Sequence, residues 1–451
     1  MSERLSQLEQ ALAAARGAGA ASADAVLVES EGTSTRVRGD EIDFVTQARE
    51  RTLGIRAFVA SPKGLRCAVT STSDLTRDAI ERMAREAVLL ARETAGDPAA
   101  GLPEAGFEHA PPELALADPA DREVGVEALI ESARRAERAA RAVDSRIVRS
   151  EGSEASAQFL HFAYASSAGM LAEYASAAHQ LSCTPIASEA GAMQVESWWT
   201  IARARARMAA PEDVGRRAAQ RALRRLGARR VATCEAPVIF DPVTAASLLR
   251  HVLACVSGYA VYREASLLAG RLGERIANER LTVIDDGRLP AGLGSRPFDG
   301  EGLPTRRNVV IDRGRLASWL LDTYSARKLG LASTGSASRS AGSAPGVSAT
   351  NFWIEPGDAV PEEIVATTQR GLLVTSLFGH GFNPVTGDFS RGAAGLWIEN
   401  GRPAHAVEEV TIAGNLTTML ASIDAVGRDL EWLGAVAAPT LRIARMTVAG
   451  E

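Results

Sequence analysis

The chain has 451 residues, 46% of them hydrophobic, with 50 basic against 55 acidic side chains and a net charge of −5. That balance excludes a disordered or fibrous chain, and it gives no global electrostatic reason to bind nucleic acid or an anionic membrane. No apolar run approaches the roughly 18 residues that a bilayer span requires, and the length fits two or three domains. Nearly all the positive charge is arginine, because Lys63 and Lys328 are the only lysines. The cysteines Cys67, Cys183, Cys234 and Cys255 are widely spaced. That is neither a disulfide framework nor a thiolate zinc site, and it suits a reducing cytosol. The opening MSERLSQLEQ lacks a basic segment followed by an apolar stretch, so no secretory leader is expected and the location reads as cytoplasmic.

Leu5, Leu8, Leu12 and Ala15 form one stripe of a helix over 3–16, stopped by Gly17 and Gly19. Strand-like segments follow at 25–31, 35–38, 41–46, 52–60 and 65–70, the last two joined by the turn Ser61-Pro62-Lys63-Gly64. Thr72 or Ser73 caps a helix that buries Leu75, Ile80, Met83 and Leu90 and ends at Gly96 and Pro98. Residues 1–95 thus read as an N-terminal α+β subdomain, antiparallel strands covered by helices. Pro98, Pro103, Pro111, Pro112 and Pro119 mark 96–121 as a linker.

A middle α+β subdomain, 122–230, holds a helix near 123–143, strands at 157–163, 170–178 and 193–206, and a helix from Pro211 to Leu226. The last helix carries Arg216, Arg217, Arg221, Arg224 and Arg225, which reads more readily as a solvated face than as a docking face for an acidic partner. The C-terminal domain, 231–451, opens with a buried strand at 236–240 and a helix at 243–257. It then becomes β-rich, with segments at 281–284, 308–311, 316–320, 371–378, 394–399 and 406–412. The fold class is α+β, its C-terminal part barrel- or sandwich-like. Ser333–Ser348, rich in Ser, Gly and Ala, reads as a mobile or ligand-ordered loop.

Residue chemistry alone offers no complete active site. None of the histidines is followed by glutamate, so the H-E-x-x-H helix of a zinc hydrolase is absent. His251 and Cys255 stand four apart on one helix face but lack a local third ligand, and buried cysteine is usually inert packing. His405 and Glu408 fall in a strand-like segment, on opposite faces. Ser325-Ala326-Arg327-Lys328 fits S-x-x-K, but no lysine follows to supply a K-T-G element. Gly346-Val347-Ser348-Ala349-Thr350 misses the last glycine of a nucleophile elbow, and no phosphate-binding glycine motif is present. Asp285 and Asp286 can bind a cation, though aspartates before glycine more often form turns.

The second half carries an ordered set of phrases: Gly270-Arg271-Leu272-Gly273-Glu274-Arg275, Val283-Ile284-Asp285-Asp286-Gly287, Asp299-Gly300-Glu301-Gly302-Leu303-Pro304, Gly387-Asp388-Phe389-Ser390, Ile398-Glu399-Asn400-Gly401 and Thr411-Ile412-Ala413-Gly414-Asn415-Leu416. In that order they resemble the TldD/PmbA family, formerly called modulators of DNA gyrase. Gly54-Ile55-Arg56-Ala57 and the helix after Thr72 extend the resemblance over nearly the whole chain. The family has two branches. TldD-like chains carry an H-E-x-x-x-H zinc motif and a C-terminal cysteine ligand. PmbA-like (TldE) chains lack these and pair with a TldD-like chain to form a peptidase with an enclosed chamber, acting on unfolded peptides.

Counting back from Gly270–Arg275 puts Leu249, Arg250 and Ala254 at the positions of first histidine, glutamate and second histidine. Leucine and alanine have no lone pair to donate, and arginine cannot act as a base. A two-residue slip puts His251 first but Val252 and Val256 in the other two places, and residues 429–440 contain no cysteine. The resemblance therefore implies a non-catalytic subunit of a metallopeptidase, with no metal in this chain and zinc in a TldD-like partner. It also implies an unfolded peptide as substrate, held by main-chain hydrogen bonds. Gly379, His380, Gly381 and the 333–346 segment are candidates for close backbone approach to that peptide, and they fit surface turns equally well. A stand-alone regulatory or binding protein is the alternative, and a metal-free hydrolase using Ser325 and Lys328 a third.

Overall fold

The computed structural model describes residues 2–450. Its first part runs α1 (Glu3–Gly17), β1 (Ser22–Arg38), β2 (Glu41–Ser61), β3 (Gly64–Thr72), α2 (Arg77–Glu93), α3 (Val126–Arg141), β4 (Ile147–Ser166), β5 (Leu171–Glu189), β6 (Ala192–Val195), β7 (Trp198–Ala202) and α4 (Pro211–Leu223). The short segments expected at 25–31 and 35–38 are one strand, as are those at 41–46 and 52–60. Pairing on both sides of β1 carries the strand straight through Gly32.

The strands form one antiparallel sheet in the order β3-β2-β1-β4-β5-β6, with β7 also on β5. β1 and β4 lie on opposite sides of 96–121 in sequence yet pair from Asp24↔Ser166 to Val37↔Ser153, so the sheet crosses that stretch without a break. The proline-rich segment itself packs on the sheet, burying Leu102, Leu114 and Leu116, with the Ala177 amide donating to the Leu116 carbonyl.

All four helices cover one face. α1 and α2 bury Leu8, Ala11, Ile80 and Val88 against Leu27, Leu53 and Ile55. α3 and α4 cover Val37, Ala155 and Leu181 with small residues. Those two helices approach so closely that a Cβ at Gly215 would lie 2.0 Å from the Ala136 carbonyl oxygen. The other face, carrying Val26, Phe162 and Tyr164, packs on Phe298 and Ala341 of the C-terminal part.

That part runs β8 (Cys234–Phe240), α5 (Pro242–Val256), α6 (Gly258–Tyr262), β9 (Val283–Asp286), β10 (Arg307–Asp312), β11 (Arg315–Leu316), α7 (Thr323–Leu329), β12 (Ala337–Ser338), β13 (Gly346–Val347), β14 (Phe352–Ile354), α8 (Pro361–Ala366), β15 (Arg370–Phe378), β16 (Asp388–Glu399), β17 (Arg402–Asn415), α9 (Leu416–Ala421), β18 (Ile423–Val426), β19 (Val436–Ala437) and β20 (Leu441–Ala449). β17, β16, β15, β8 and β20 are neighbours in turn, and pairing of β17 with β20 closes them into a barrel. Of the two C-terminal forms expected, the barrel is the one present. A smaller sheet, β11-β10-β9-β14-β19, lies beside it. α5 bridges the two and starts where Asp241 accepts the Thr244 amide at 2.9 Å, with Pro242 in the first turn.

Three local expectations differ. The strand expected over 193–206 breaks between β6 and β7, where the Glu196 carboxylate binds Arg221, Arg225 and Ser376. The strand expected at 316–320 pairs only through Leu316 before the chain turns to meet Ser257. The arginine side of α4 is a solvated face only at Arg216 and Arg217, whereas Arg221 and Arg225 are buried. Arg221 reaches Asp241 and the Thr375 carbonyl, Arg217 reaches Glu431, and Arg225, bound to Glu196 within the first part, lies 3.9 Å from Glu408, so these three cations seam the first part to the C-terminal part. No helix among the described residues is long and apolar enough to cross a membrane.

Candidate functional site

The positions that the resemblance aligns with a zinc motif, Leu249, Arg250 and Ala254, lie on α5, and their side chains fit a metal poorly. Leu249 is buried among the barrel residues, while Arg250 and Ala254 face outward. The Arg250 guanidinium lies 4.0 Å from the point where a side chain at Gly434 would begin. Gly434 lies within the C-terminal stretch 429–440, where a cysteine ligand is expected on a TldD-like chain. A fixed cation and two aliphatic groups cannot supply a divalent ion with lone pairs. No group of three or more His, Cys, Asp or Glu converges on a metal geometry among the described residues.

His251 points elsewhere. Its ring stacks on Phe382 with centroids 4.4 Å apart and meets Phe389 edge-on at 5.7 Å. Burial, helped by Arg391, holds the imidazole down to about 4, so it is neutral near pH 7. Cys255, one turn on, lies with its sulfur 3.9 Å from the Pro384 carbonyl, and burial pushes its thiol up to about 12. These two residues form apolar packing and not a ligand pair.

The stack on Phe382 ties α5 to the β15–β16 connection, so the structure brings the turn of Gly379, His380 and Gly381 close to that helix. Gly379 has φ +74 with open space around its Cβ position, and His380 is exposed. Gly381 is different. A Cβ there would fall 1.5 Å from the Ser390 carbonyl oxygen, and its own carbonyl accepts the Ser390 amide at 2.7 Å. Exposed Phe378 and Val385 flank the turn. Only a residue without a side chain permits this close backbone approach.

The other sequence candidates have structural employment. Asp322 and Ser325 form a capping box on α7, with Ser325 fully buried, while the Lys328 ammonium pairs with Asp97 at 3.0 Å. Asp285 lies inside β9, accepting the Thr350 amide at 2.6 Å and hydroxyl at 3.0 Å, and burial pushes it up to about 6. Asp286 accepts the Arg288 amide at 2.8 Å. His405 sits across from Trp397, and Glu408 accepts from Gln194 at 2.6 Å.

One cluster escapes sequence reasoning. Between the sheet and the C-terminal part, Arg56 on β2 donates to both Asp24 oxygens at 3.0 and 2.6 Å and to Glu301 at 3.4 Å. Arg339 adds a bond to Asp24 at 2.7 Å and the Tyr164 hydroxyl another at 3.1 Å. Asp299 accepts the amides of Glu301, Leu303 and Ala337, while burial and the nearby Glu301 carboxylate push it up to about 7. The Asp299–Pro304 phrase is thus a buried junction, and the 333–348 segment, with Ser336, Ala337 and Arg339 buried, forms its lid. A cavity of about 450 Å³ opens beside it, lined by Glu50, Phe162, Tyr174, Arg296 and Arg339. No spacing motif signals this cluster, because its members are assembled only by the fold.

Residues 23–91, 119–226 and 233–450 match the first, central and C-terminal domains of the PmbA/TldA metallopeptidases. Metalloprotease PmbA of Escherichia coli O157:H7 is 37% identical over 433 residues, covering 95% of this chain and 92% of that one. The chain belongs to the PmbA/TldD family. The PmbA homologue of Haemophilus influenzae is 33% identical over 95% of this chain and 92% of its own. Among solved structures, a Bacteroides thetaiotaomicron protein described as a modulator of DNA gyrase superposes with a TM-score of 0.91 at 28% identity, covering all of both chains. TldE of Thermococcus kodakarensis, at 23% identity and a TM-score of 0.87, covers 98% of this chain and all of its own and shares the PmbA/TldD fold.

Proposed function

We propose that this chain is a metal-free, TldE-type subunit of a cytosolic metallopeptidase that trims or degrades unfolded peptides, with the zinc held by a TldD-like partner chain. The observation that carries this reading is the outward-facing Arg250 on α5, its guanidinium near Gly434 of the C-terminal segment, with Leu249 turned into the core and Ala254 exposed one turn on. A cation at that place opposes a divalent ion and cannot accept a proton from water. The family's metallopeptidase activity then needs a second chain to supply ligands and base. What this chain contributes is wall and backbone. The Gly379–Gly381 turn connects to α5 through Phe382, and its exposed residues Gly379 and His380 suit main-chain recognition of an extended peptide, which is nearly independent of peptide sequence.

Co-expression with a TldD-like chain bearing H-E-x-x-x-H tests the reading. Co-elution, with chelator-sensitive cleavage of an unfolded peptide that neither chain shows alone, is the expected result. Cleavage by this chain alone, or no association with such a partner, overturns it.

A further inference from the structure

The cavity of about 450 Å³ between the sheet and the C-terminal part has the size of a small-ligand site. Two arginines line it, and they are used differently. Arg339 donates through Nε to the Ser343 carbonyl at 3.2 Å and through Nη1 to Asp24 at 2.7 Å, while its Nη2 is buried without a partner. Arg296 has no side-chain partner at all among the described residues, and its Nε and Nη2 are buried.

A buried guanidinium without a counter-charge is costly, and elsewhere the chain avoids that state. Arg56 on Asp24, Arg135 on Glu212, Arg146 on Asp144 and Arg442 on Asp424 each set Nε and Nη2 against the two oxygens of a carboxylate. That edge of the guanidinium matches a carboxylate in shape as well as in charge. At Arg296 the same two nitrogens are the ones left buried and unbonded.

The backbone beneath Arg296 is held firmly. Arg203 donates to the Gly292 carbonyl at 3.1 Å and to that of Leu293, Asn351 Nδ2 donates to Ser295 Oγ at 2.7 Å, and the Arg296 amide donates to the Gly287 carbonyl at 3.1 Å. A ligand therefore meets a donor whose support is already in place, which lowers the ordering cost of binding.

The acids nearby do not supply the missing partner. Asp299 spends its oxygens on the amides of Glu301, Leu303 and Ala337, at 2.9, 3.0 and 3.1 Å. Asp24 is shared by Arg56 and Arg339. Glu50 is exposed and makes no ion pair among the described residues. The cavity wall also carries an aromatic pair, Phe162 and Tyr174, with ring centroids 5.5 Å apart and Phe298 edge-on to Tyr174 at 5.3 Å.

We infer that this cavity is a binding site for a monocarboxylate with an apolar body, the Arg296 guanidinium taking the carboxylate and the Phe162–Tyr174 pair the body. A free organic acid and the C-terminal end of a peptide present the same chemistry. The site belongs to this chain alone and needs no zinc-bearing partner, so it stands apart from the peptidase reading.

Isothermal titration of the purified full chain with N-acetylphenylalanine tests it. One molecule should bind per chain, and N-acetylphenylalanine amide, which lacks the charge, should bind at least about tenfold more weakly. Arg296→Met should weaken the acid by about the same factor and leave the amide unchanged. The variant should also melt no lower than the wild type without ligand, because it removes an uncompensated buried charge, whereas an arginine with a purely structural role would lower the melting temperature. A tripeptide ending in phenylalanine that binds at least as tightly marks peptide ends as the source, and one that fails to bind marks free acids; both results uphold the site. No saturable binding up to millimolar acid, equal affinity for acid and amide, or inorganic phosphate binding as tightly as the acid overturns the inference. So does an Arg296→Met chain that binds the acid undiminished or melts lower than the wild type.

Discussion

Asp24 on β1 and Arg339 ahead of β13 meet at 2.7 Å with both side chains shut off from solvent. Arg56 and Glu301 complete the group, so residues from the first sheet and from the C-terminal part are paired where the two meet. Ions are expensive to remove from water, and such a cluster persists only while every member keeps its counter-charge.

Asp24→Asn leaves two buried guanidinium groups short of a partner and should cost about 3–5 kcal/mol in urea unfolding. Burial alone would raise the Asp24 carboxyl, yet Arg339 and Arg56 outweigh it and hold it below its ordinary 3.8. A carboxylate depressed in the folded state gives stability that is complete above its unfolded value and is lost as pH falls through the lower folded value. The gap between wild type and variant should therefore persist at neutral pH and close only below about pH 4.

His251 titrates with the opposite charge and also loses stability in acid. Its folded value of about 4 lies below the ordinary 6.5, so the unfolded chain takes up a proton first and stability falls as pH drops from 6.5 toward 4. His251→Phe keeps a ring against Phe382 and removes the proton. Between pH 7 and 4.5 the wild type should lose roughly 1–2 kcal/mol more than the variant, a figure reduced for the ring's partial exposure. Chemical denaturation at several pH values reads the difference directly.

The two glycines of the β15–β16 turn should respond unequally. Gly379→Ala meets no neighbour and costs only the strain of its φ of +74, on the order of 1 kcal/mol. Gly381→Ala drives a methyl group into the Ser390 carbonyl and should cost about 1–3 kcal/mol, displacing the turn from α5. Equal melting temperatures for the two variants would contradict the close approach.

Ser325→Ala removes half of the α7 capping box and should lower stability by about 1 kcal/mol. Peptide cleavage by the assembled enzyme should be unchanged, because Ser325 is buried on Asp322 and Lys328 is bound to Asp97. A large loss of turnover with folding intact would return Ser325 to the catalytic candidates.

Local signals in the sequence lead to the right elements where the chain's neighbours in space are its neighbours in sequence. Pro211 and Pro242 open α4 and α5 in the first turn, and Gly64 turns β2 into β3. Long-range pairing leaves no such trace. Val26 pairs with Tyr164 across the proline-rich stretch, and Ile412 pairs with Val448 to close the barrel. The α4 arginines illustrate the same limit, because their acidic partners Asp241 and Glu431 come from distant segments and a helix read alone cannot show them. Of the candidate site, the residue types at Leu249, Arg250 and Ala254 were readable. The placement of the Arg250 guanidinium near Gly434 was not.

The most direct test of the central claim is zinc content by elemental analysis of the purified chain, alone and bound to a TldD-like partner. The account predicts no stoichiometric zinc in the chain alone and zinc in the assembly, held on the partner. Tight stoichiometric zinc in the isolated chain, with chelator-sensitive peptidase activity that Arg250→Ala alters, would contradict it.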